Sequence, residues 1–169
     1  MKWIGLGLIF AGCTWGGFSY LMMLQHRLKE WERLIAAFSL MKEEISHLAL
    51  PMQAIFSDLA VHIDGQTGRV FAYCAQRMAQ EGHGDLADLW EEGWKRENTV
   101  FSREDLEFLY TFRRFFVAPS RKERQAETEL FLTMLEKRTE QLRQKLADNH
   151  RLYPGFGVMG GLFMVIFLL

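Results

Sequence analysis

The sequence predicts an all-α protein, in which a compact bundle of about six helices lies between an N-terminal and a C-terminal transmembrane helix. Three observations lead to this fold class. Both ends of the chain are apolar and lack charged side chains, from Trp3 to Leu24 and from Leu152 to Leu169. Apolar residues in the charged middle recur at steps of three and four, as in amphipathic helices, and strand-type alternation is nowhere sustained. The predicted segments are therefore 1–24, 25–151 and 152–169.

Each apolar end is about as long as a membrane is thick. At ~1.5 Å rise per residue the two ends make helices of roughly 33 Å and 27 Å, against a hydrocarbon core of ~30 Å. The first end also resembles a secretory signal, and Phe10-Ala11-Gly12-Cys13 resembles a lipoprotein cleavage box. However, its apolar run continues for eleven residues beyond Cys13, longer than a signal needs. We interpret 1–24 as a retained span, with a lipid-modified Cys13 as the alternative.

Basic residues predict which side of the membrane the middle domain faces. Four of them follow the first span and five precede the second, whereas only Lys2 lies on the other side. Lys and Arg near span ends favour the cytoplasmic face. We therefore expect residues 25–151 to be cytoplasmic and both termini to face outward.

Each predicted span carries two glycines four residues apart: Gly12 and Gly16 in the first, Gly157 and Gly161 in the second. Glycine at this spacing lets two helix backbones approach closely in lipid, although glycine is also simply frequent in membrane helices. The pairs lead to the hypothesis that the two spans pack together along these residues.

The middle domain begins with a long helix. No break separates it from the first span, and its apolar face consists of Trp31, Leu34, Ile35, Phe38, Met41, Ile45 and Leu48. Pro51 ends it, because proline lacks a backbone donor. A second, short helix follows from Met52 and stops near Asp64-Gly65. A third, marked by Val70 and Met78, closes at Gly82-His83-Gly84.

Three further helices have recognisable start signals. Asp85 is placed as the N-cap of the fourth helix. Ser102 with Asp105, and Ser120 with Glu123, have the spacing of a capping box. We expect the fifth helix to run to Ala118-Pro119 and the last to run to Pro154-Gly155 before the second span.

Composition and motifs argue against several kinds of function. The middle domain has a net charge close to zero, unlike a nucleic-acid groove, and no nucleotide-binding Gly-rich loop ending in Lys and Ser or Thr occurs. Glu44 and His47 have the spacing of carboxylate di-iron bundles, but such sites need a second copy, so we interpret them as an exposed helix face. Cys13 and Cys74 are interpreted as buried apolar residues. We expect no enzyme activity, cofactor, metal or small-molecule substrate.

Two clusters of charge remain as candidates for a surface that binds a partner. The basic cluster consists of Arg113, Arg114, Arg121, Lys122 and Arg124, on either side of Pro119. Positive charge at a helix N-terminus gains nothing from the helix dipole, so a functional reason competes with an ordinary solvated helix start. The acidic cluster consists of Asp85, Asp88, Glu91 and Glu92, and there the dipole alone accounts for the charge. We expect the turn at Pro119 to point away from the membrane.

Motifs at both ends and around Pro51 resemble a known family. Thr14-Trp15-Gly16-Gly17-Phe18 is similar to a Thr-Trp-x-Gly-Phe motif, and residues 160–169 are similar to a Gly-Gly-Leu-Leu-Leu-Val-Ile-Leu-Leu ending. Glu44-Ile45, Leu50-Pro51 and Ala54 fit Glu-x-Ile and Leu-Pro-x-x-Ala. These are features of the stage III sporulation protein AB family of spore-forming bacteria. The family's Phe-Gly-x-x-Leu-Gly is replaced here by Phe112 to Val117, so we expect the fifth helix to bend less.

The resemblance implies a fold similar to the cytoplasmic domain of the inner-membrane platform protein F of type II secretion and type IV pilus machines. It implies a non-enzymatic platform subunit of the channel between mother cell and forespore, in the mother-cell-derived membrane around the forespore. The implied partners are a cytoplasmic secretion-type ATPase, which the domain would couple to the membrane assembly, and other membrane proteins of that complex. A membrane-anchored regulatory or signalling adaptor unrelated to transport is the alternative function.

Overall fold

The structure, a computed structural model, describes the backbone of residues 2–47, 50–81, 85–97 and 100–168, and the side chains of residues 19, 22–45, 50–80, 85–97 and 100–148. These backbone segments contain seven α-helices and no strand, which confirms the predicted all-α fold. The helices are α1 (Lys2–His47), α2 (Met52–His62), α3 (Gly65–Glu81), α4 (Leu86–Arg96), α5 (Arg103–Tyr110), α6 (Arg113–Val117) and α7 (Arg121–Leu168).

The chain divides into two compact units. One consists of Met1–Leu28 together with Glu140–Leu169, and the other consists of Lys29–Thr139. Nearly all residues of the predicted spans 1–24 and 152–169 lie outside the described side chains, as do Gly12, Cys13, Gly16, Gly157 and Gly161. Among the residues that are described, no helix has an apolar stretch of the length that crossing a bilayer requires.

The Lys29–Thr139 unit has an aromatic core centred on Phe38 of α1. The Phe38 ring contacts four rings from other elements, with centroid separations of 4.5 to 6.3 Å: those of Phe71, Trp90, Phe112 and Phe131. All four pairs are edge-to-face, an arrangement that adds about 0.5–1.5 kcal/mol per pair to the gain from burial. The apolar face predicted for α1 is therefore what holds the other helices together.

The predicted starts of four helices are confirmed. Pro51 precedes α2 in an extended conformation. The Asp85 side chain accepts a hydrogen bond from the Ala87 amide at 2.9 Å at the start of α4. Ser102 and Asp105 form both hydrogen bonds of a capping box, and Ser120 Oγ accepts from the backbone amide of the third residue of α7 at 3.2 Å. Local signals thus determined where these helices begin.

The fifth helix was expected to continue as far as Ala118-Pro119, and this prediction is wrong, because the helix is interrupted between Tyr110 and Arg113. The amides of Thr111 and Phe112 donate to carbonyls three residues back, at 3.0 and 3.2 Å, so the chain tightens into a turn. The indole Nε1 of Trp90 donates to the second of these carbonyls, Leu109 O, at 2.9 Å. This contact from α4 stabilises the turn, so the chain bends here without the glycines of the family motif.

The predicted end of the last helix is also wrong. The backbone of α7 is helical through Pro154 and continues to Leu168. A proline removes one helical hydrogen bond, but its fixed φ of about −65° is itself helical. The sequence Pro154-Gly155 therefore does not end this helix.

A buried carboxylate of α1 fixes the start of α3. The Glu30 side chain accepts from the amides of Gln66 and Thr67 at 3.3 and 3.2 Å, and from Thr67 Oγ1 at 2.9 Å. It also pairs with Arg33. Glu30 thus satisfies amides that would otherwise lack a partner at this helix start. Gly65 is required beside it, because its φ is +80° and a Cβ there would overlap the Glu30 and Arg33 side chains.

Candidate partner surface

The basic cluster lies on two consecutive elements joined by a short turn. Two of its residues are in α6 and three are in the first turn of α7, with residues 118–120 between them. Exposed side chains predominate: those of Arg113, Arg114, Arg121 and Lys122 are exposed, and that of Arg124 is half-buried. The structure therefore brings together, at one turn, the five residues that the sequence singled out.

Two contacts locate the basic cluster within the Lys29–Thr139 unit. Near the end of α1, Lys42 Nζ lies 2.8 Å from Glu129 Oε1 of α7. Near the place where α1 enters this unit, the Arg138 guanidinium of α7 lies 5.8 Å from the centroid of the Trp31 ring. These two contacts show that α1 and α7 run antiparallel in this unit. The basic cluster, at the start of α7, therefore lies at the end of the unit opposite to Lys29 and Thr139, where the chain enters and leaves it.

Arg121 has a structural contact of its own. Its Nε donates to the carbonyl oxygen of Ile45 at 2.7 Å, in the last turn of α1. Carbonyls in the last turn of a helix lack intrahelical donors, and a cation there also interacts favourably with the helix dipole. Arg121 therefore caps the end of α1, a role that its position at the start of α7 did not indicate.

Arg113 is joined to the acidic cluster. Its Nη1 lies 3.5 Å from Glu91 Oε1 on α4. Because Arg113 is exposed and Glu91 is only half-buried, the contribution of the pair to stability is small, about 0–1 kcal/mol. Its importance is geometric, since it brings the basic cluster and the acidic cluster to one boundary.

Arg114, Lys122 and Arg124 are three members of the basic cluster that lack an acidic partner among the residues whose side chains the structure describes. In the part of the chain that the structure describes, none of these three side chains forms an ion pair. Lys122 and Arg124 are in addition placed against the dipole of α7, which costs about 0.3–1 kcal/mol for each charge. Within the described residues the fold therefore gains no ion pair from these three cations, and their charges remain able to bind another molecule.

The acidic cluster occupies the first two turns of α4. Asp85 caps this helix, whereas Asp88 and Glu92 are exposed and Glu91 is half-buried beside Arg113. Val117, at the end of α6, is 74% exposed. An exposed valine next to the arginines of α6 was not singled out from the sequence, because the periodicity of this region gave no sign of which apolar residues would face solvent.

Two groups considered for chemistry have identifiable environments. Burial of the Cys74 thiol raises its pKa to about 12, so it stays protonated at neutral pH and is a poor nucleophile; its predicted burial is confirmed. Glu44 is half-buried rather than fully exposed, and burial together with the Asp58 carboxyl raises its pKa from 4.5 to about 7. The side chain of His47 lies outside the described residues. Within the described segments, no three His, Cys, Asp or Glu side chains are grouped as metal ligands.

Comparison with known proteins gives three consistent matches. The family model described as stage III sporulation protein AB matches residues 2–169. Stage III sporulation protein AB of Bacillus subtilis (strain 168) is 22% identical, over 100% of this chain and 99% of the relative. A solved structure of stage III sporulation protein AB (SpoIIIAB) is similar with a TM-score of 0.64 and 19% identity, covering 72% of this chain and 97% of that chain. At this identity the structural match establishes the helical fold alone.

Proposed function

Because the chain belongs to the stage III sporulation protein AB family, we propose that it is a non-enzymatic platform subunit of the channel between mother cell and forespore. Its two ends cross the mother-cell-derived membrane around the forespore, and its helical bundle, residues 25–151, faces the cytoplasm. The bundle binds a cytoplasmic secretion-type ATPase and couples it to the other membrane proteins of the complex. No nucleic acid and no small-molecule substrate take part.

The single observation that carries the docking role is the position of the basic cluster. The chain enters and leaves the Lys29–Thr139 unit at one end, and the basic cluster lies at the other. Membrane spans at the chain ends would tether the first of these ends and leave the basic cluster open to the cytoplasm. Lys122 and Arg124 are the cations that we assign to ATPase binding, because Arg121 is engaged in capping α1.

Charge reversal at the start of α7 tests this assignment. Lys122→Glu with Arg124→Glu places acidic residues where the helix dipole favours them, so the variant should fold at least as well as the wild type. We expect the ATPase to be lost from material co-purified with the full-length chain from sporulating membranes, while the other membrane proteins are retained. Arg96→Glu with Arg103→Glu, two exposed arginines of α4 and α5, changes the net charge equally and should retain the ATPase.

Three outcomes would overturn parts of this proposal. Retention of the ATPase by the α7 variant would show that Lys122 and Arg124 do not bind it. Co-purification without any channel protein, or synthesis before asymmetric division, would favour the regulatory adaptor. Extraction of the full-length chain from membranes by carbonate would exclude the two spans.

The glycines of the predicted spans give a separate test of the membrane assembly. We propose that the two spans pack along Gly12, Gly16, Gly157 and Gly161, because small residues let helices approach closely in lipid. Gly12→Leu with Gly16→Leu should reduce incorporation of the chain into the complex, whereas leucine at Gly7 and Gly17, which helix spacing places away from the face of Gly12 and Gly16, serves as a control of equal apolarity. Equal incorporation of both variants would contradict this packing.

A further inference from the structure

One surface of the Lys29–Thr139 unit carries opposite charges in two adjacent halves. We call it the α4–α6 face; its residues are Asp88, Glu91, Arg113, Arg114 and Val117. The α4 half is negative and the α6 half is positive, and the two halves meet where Arg113 Nη1 lies 3.5 Å from Glu91 Oε1. Helices α4 and α6 pack directly against each other, so this face is continuous.

Helix geometry places the exposed Asp88 carboxylate beside this boundary. Asp88 precedes Glu91 by three residues, which puts the two on neighbouring positions of one side of α4. Val117 lies three residues after Arg114 and four after Arg113, so helix spacing makes it a neighbour of both arginines. Arg114 has no ion-pair partner within the described residues, and Asp88 is exposed. Arg114 and Asp88 therefore give this face unneutralised charge of both signs, whereas Glu91 is paired with Arg113 and Lys95.

We propose that the α4–α6 face binds the α4–α6 face of a second copy of this chain. A twofold axis through the Arg113–Glu91 boundary sets the positive half of each copy against the negative half of the other. Such an isologous contact needs only one self-complementary surface. Electrostatic complementarity of this kind determines orientation and rejects partners of like charge.

Val117 supplies the apolar contact that such an interface needs. It is 74% exposed and lies one helical turn after Arg113 and Arg114, and arginine is enriched at interfaces. Burial of Val117 near the axis would remove its apolar surface from water in both copies at once. This proposal does not use Lys122 or Arg124, so it stands or fails independently of ATPase binding.

Cross-linking of the purified full-length chain in mild detergent tests the position of the contact. Val117→Cys should give a dimer with a short bis-maleimide, whereas Val61→Cys, an equally exposed valine of α2 at 80%, should not. The wild-type chain gives the background from Cys13 and Cys74. Equal dimer yields from the two variants, or no dimer from Val117→Cys, would overturn the proposal.

Charge reversal tests the mechanism. In the Val117→Cys background, Arg114→Glu and Asp88→Arg should each lower the dimer yield about tenfold, since like charges then face each other. When the two variants are mixed, every contact is again between opposite charges, and the yield should return as a heterodimer. Exposed substitutions of this kind change stability by less than about 0.5 kcal/mol, and the unfolding midpoint of each variant checks that its fold is retained.

The mixing experiment leaves no neutral outcome. Dimer yields that are unchanged by either reversal, or that remain low on mixing, would exclude pairing of the two halves. If residue 117 cross-links to a different protein in sporulating membranes and to no second copy in purified protein, the face belongs to that other protein and the proposal is wrong.

Discussion

Arg121 and Lys122 are adjacent and carry the same charge, but the structure predicts opposite effects on stability. Arg121→Ala removes the hydrogen bond to Ile45 O, and a charge-assisted hydrogen bond contributes about 1.5–3 kcal/mol. The Arg121 charge also interacts with two helix dipoles, favourably at the end of α1 and unfavourably at the start of α7. Each of these interactions is worth about 0.3–1 kcal/mol, so they nearly cancel. Because Arg121 is exposed, we take the low end, a loss of about 1.5 kcal/mol. Lys122→Ala only relieves the dipole and should stabilise by about 0.3–0.5 kcal/mol.

Urea unfolding of the full-length chain in mild detergent measures both effects. Trp31, Trp90 and Trp94 are buried in the Lys29–Thr139 unit, so their fluorescence should report its unfolding. With a slope of about 2 kcal/mol per M, Arg121→Ala should lower the midpoint by about 0.7 M, whereas Lys122→Ala should raise it by about 0.2 M. A change of the same sign in both variants would refute the assignment of Arg121 as the cap of α1.

Three other predictions can be checked on the same preparation. The pKa of Glu44 is raised in the folded state to about 7. Between about pH 4.5 and 7 the folded chain therefore holds a proton that the unfolded chain releases, so the free energy of unfolding falls as the pH rises through this range. Glu44→Gln should stabilise the protein at pH 8 and have little effect at pH 4; an equal gain at both pH values would contradict this. Gly65→Ala should cost about 2–4 kcal/mol in urea unfolding, because it forces alanine into a left-handed conformation and displaces Glu30 from its hydrogen bonds. A cost below about 1 kcal/mol would show that Glu30 adjusts freely. The Cys74 thiol, 1% exposed, should react with a maleimide only after unfolding, as peptide mass mapping can show; rapid native labelling would count against its burial.

The helix starts could be predicted from sequence because their signals are local. Asp85 and Ser102 each satisfy an amide two or three residues away, so the relevant partners lie within one turn. The apolar face of α1 could be predicted for the same reason, since the spacing of Trp31, Leu34 and Phe38 depends only on helix geometry. The family could also be identified from motifs around Trp15 and Pro51.

The remaining features depend on partners that are distant in the chain. The break between α5 and α6 is stabilised by the Trp90 indole, 19 residues before the carbonyl that it contacts. Glu30 caps a helix 37 residues further on, and Arg121 reaches a carbonyl 76 residues back. No periodicity or spacing rule encodes such contacts. For the candidate surface, the sequence indicated which residues were charged but not which of those charges the fold itself uses.

The ring of Phe38 touches aromatic neighbours on α3, α4 and α7 and at the turn before α6, and this has a consequence for how the bundle responds to force. If α3, α4 or α7 moved away, it would uncover a side chain that it shares with the other two, so we expect these helices to open together as one cooperative unit. A force applied at the Pro119 turn should therefore be transmitted to the opposite end of the Lys29–Thr139 unit without local opening of the helices between. Native-state hydrogen exchange should accordingly show slow amides of α1, α3 and α4 opening together, in one cooperative event.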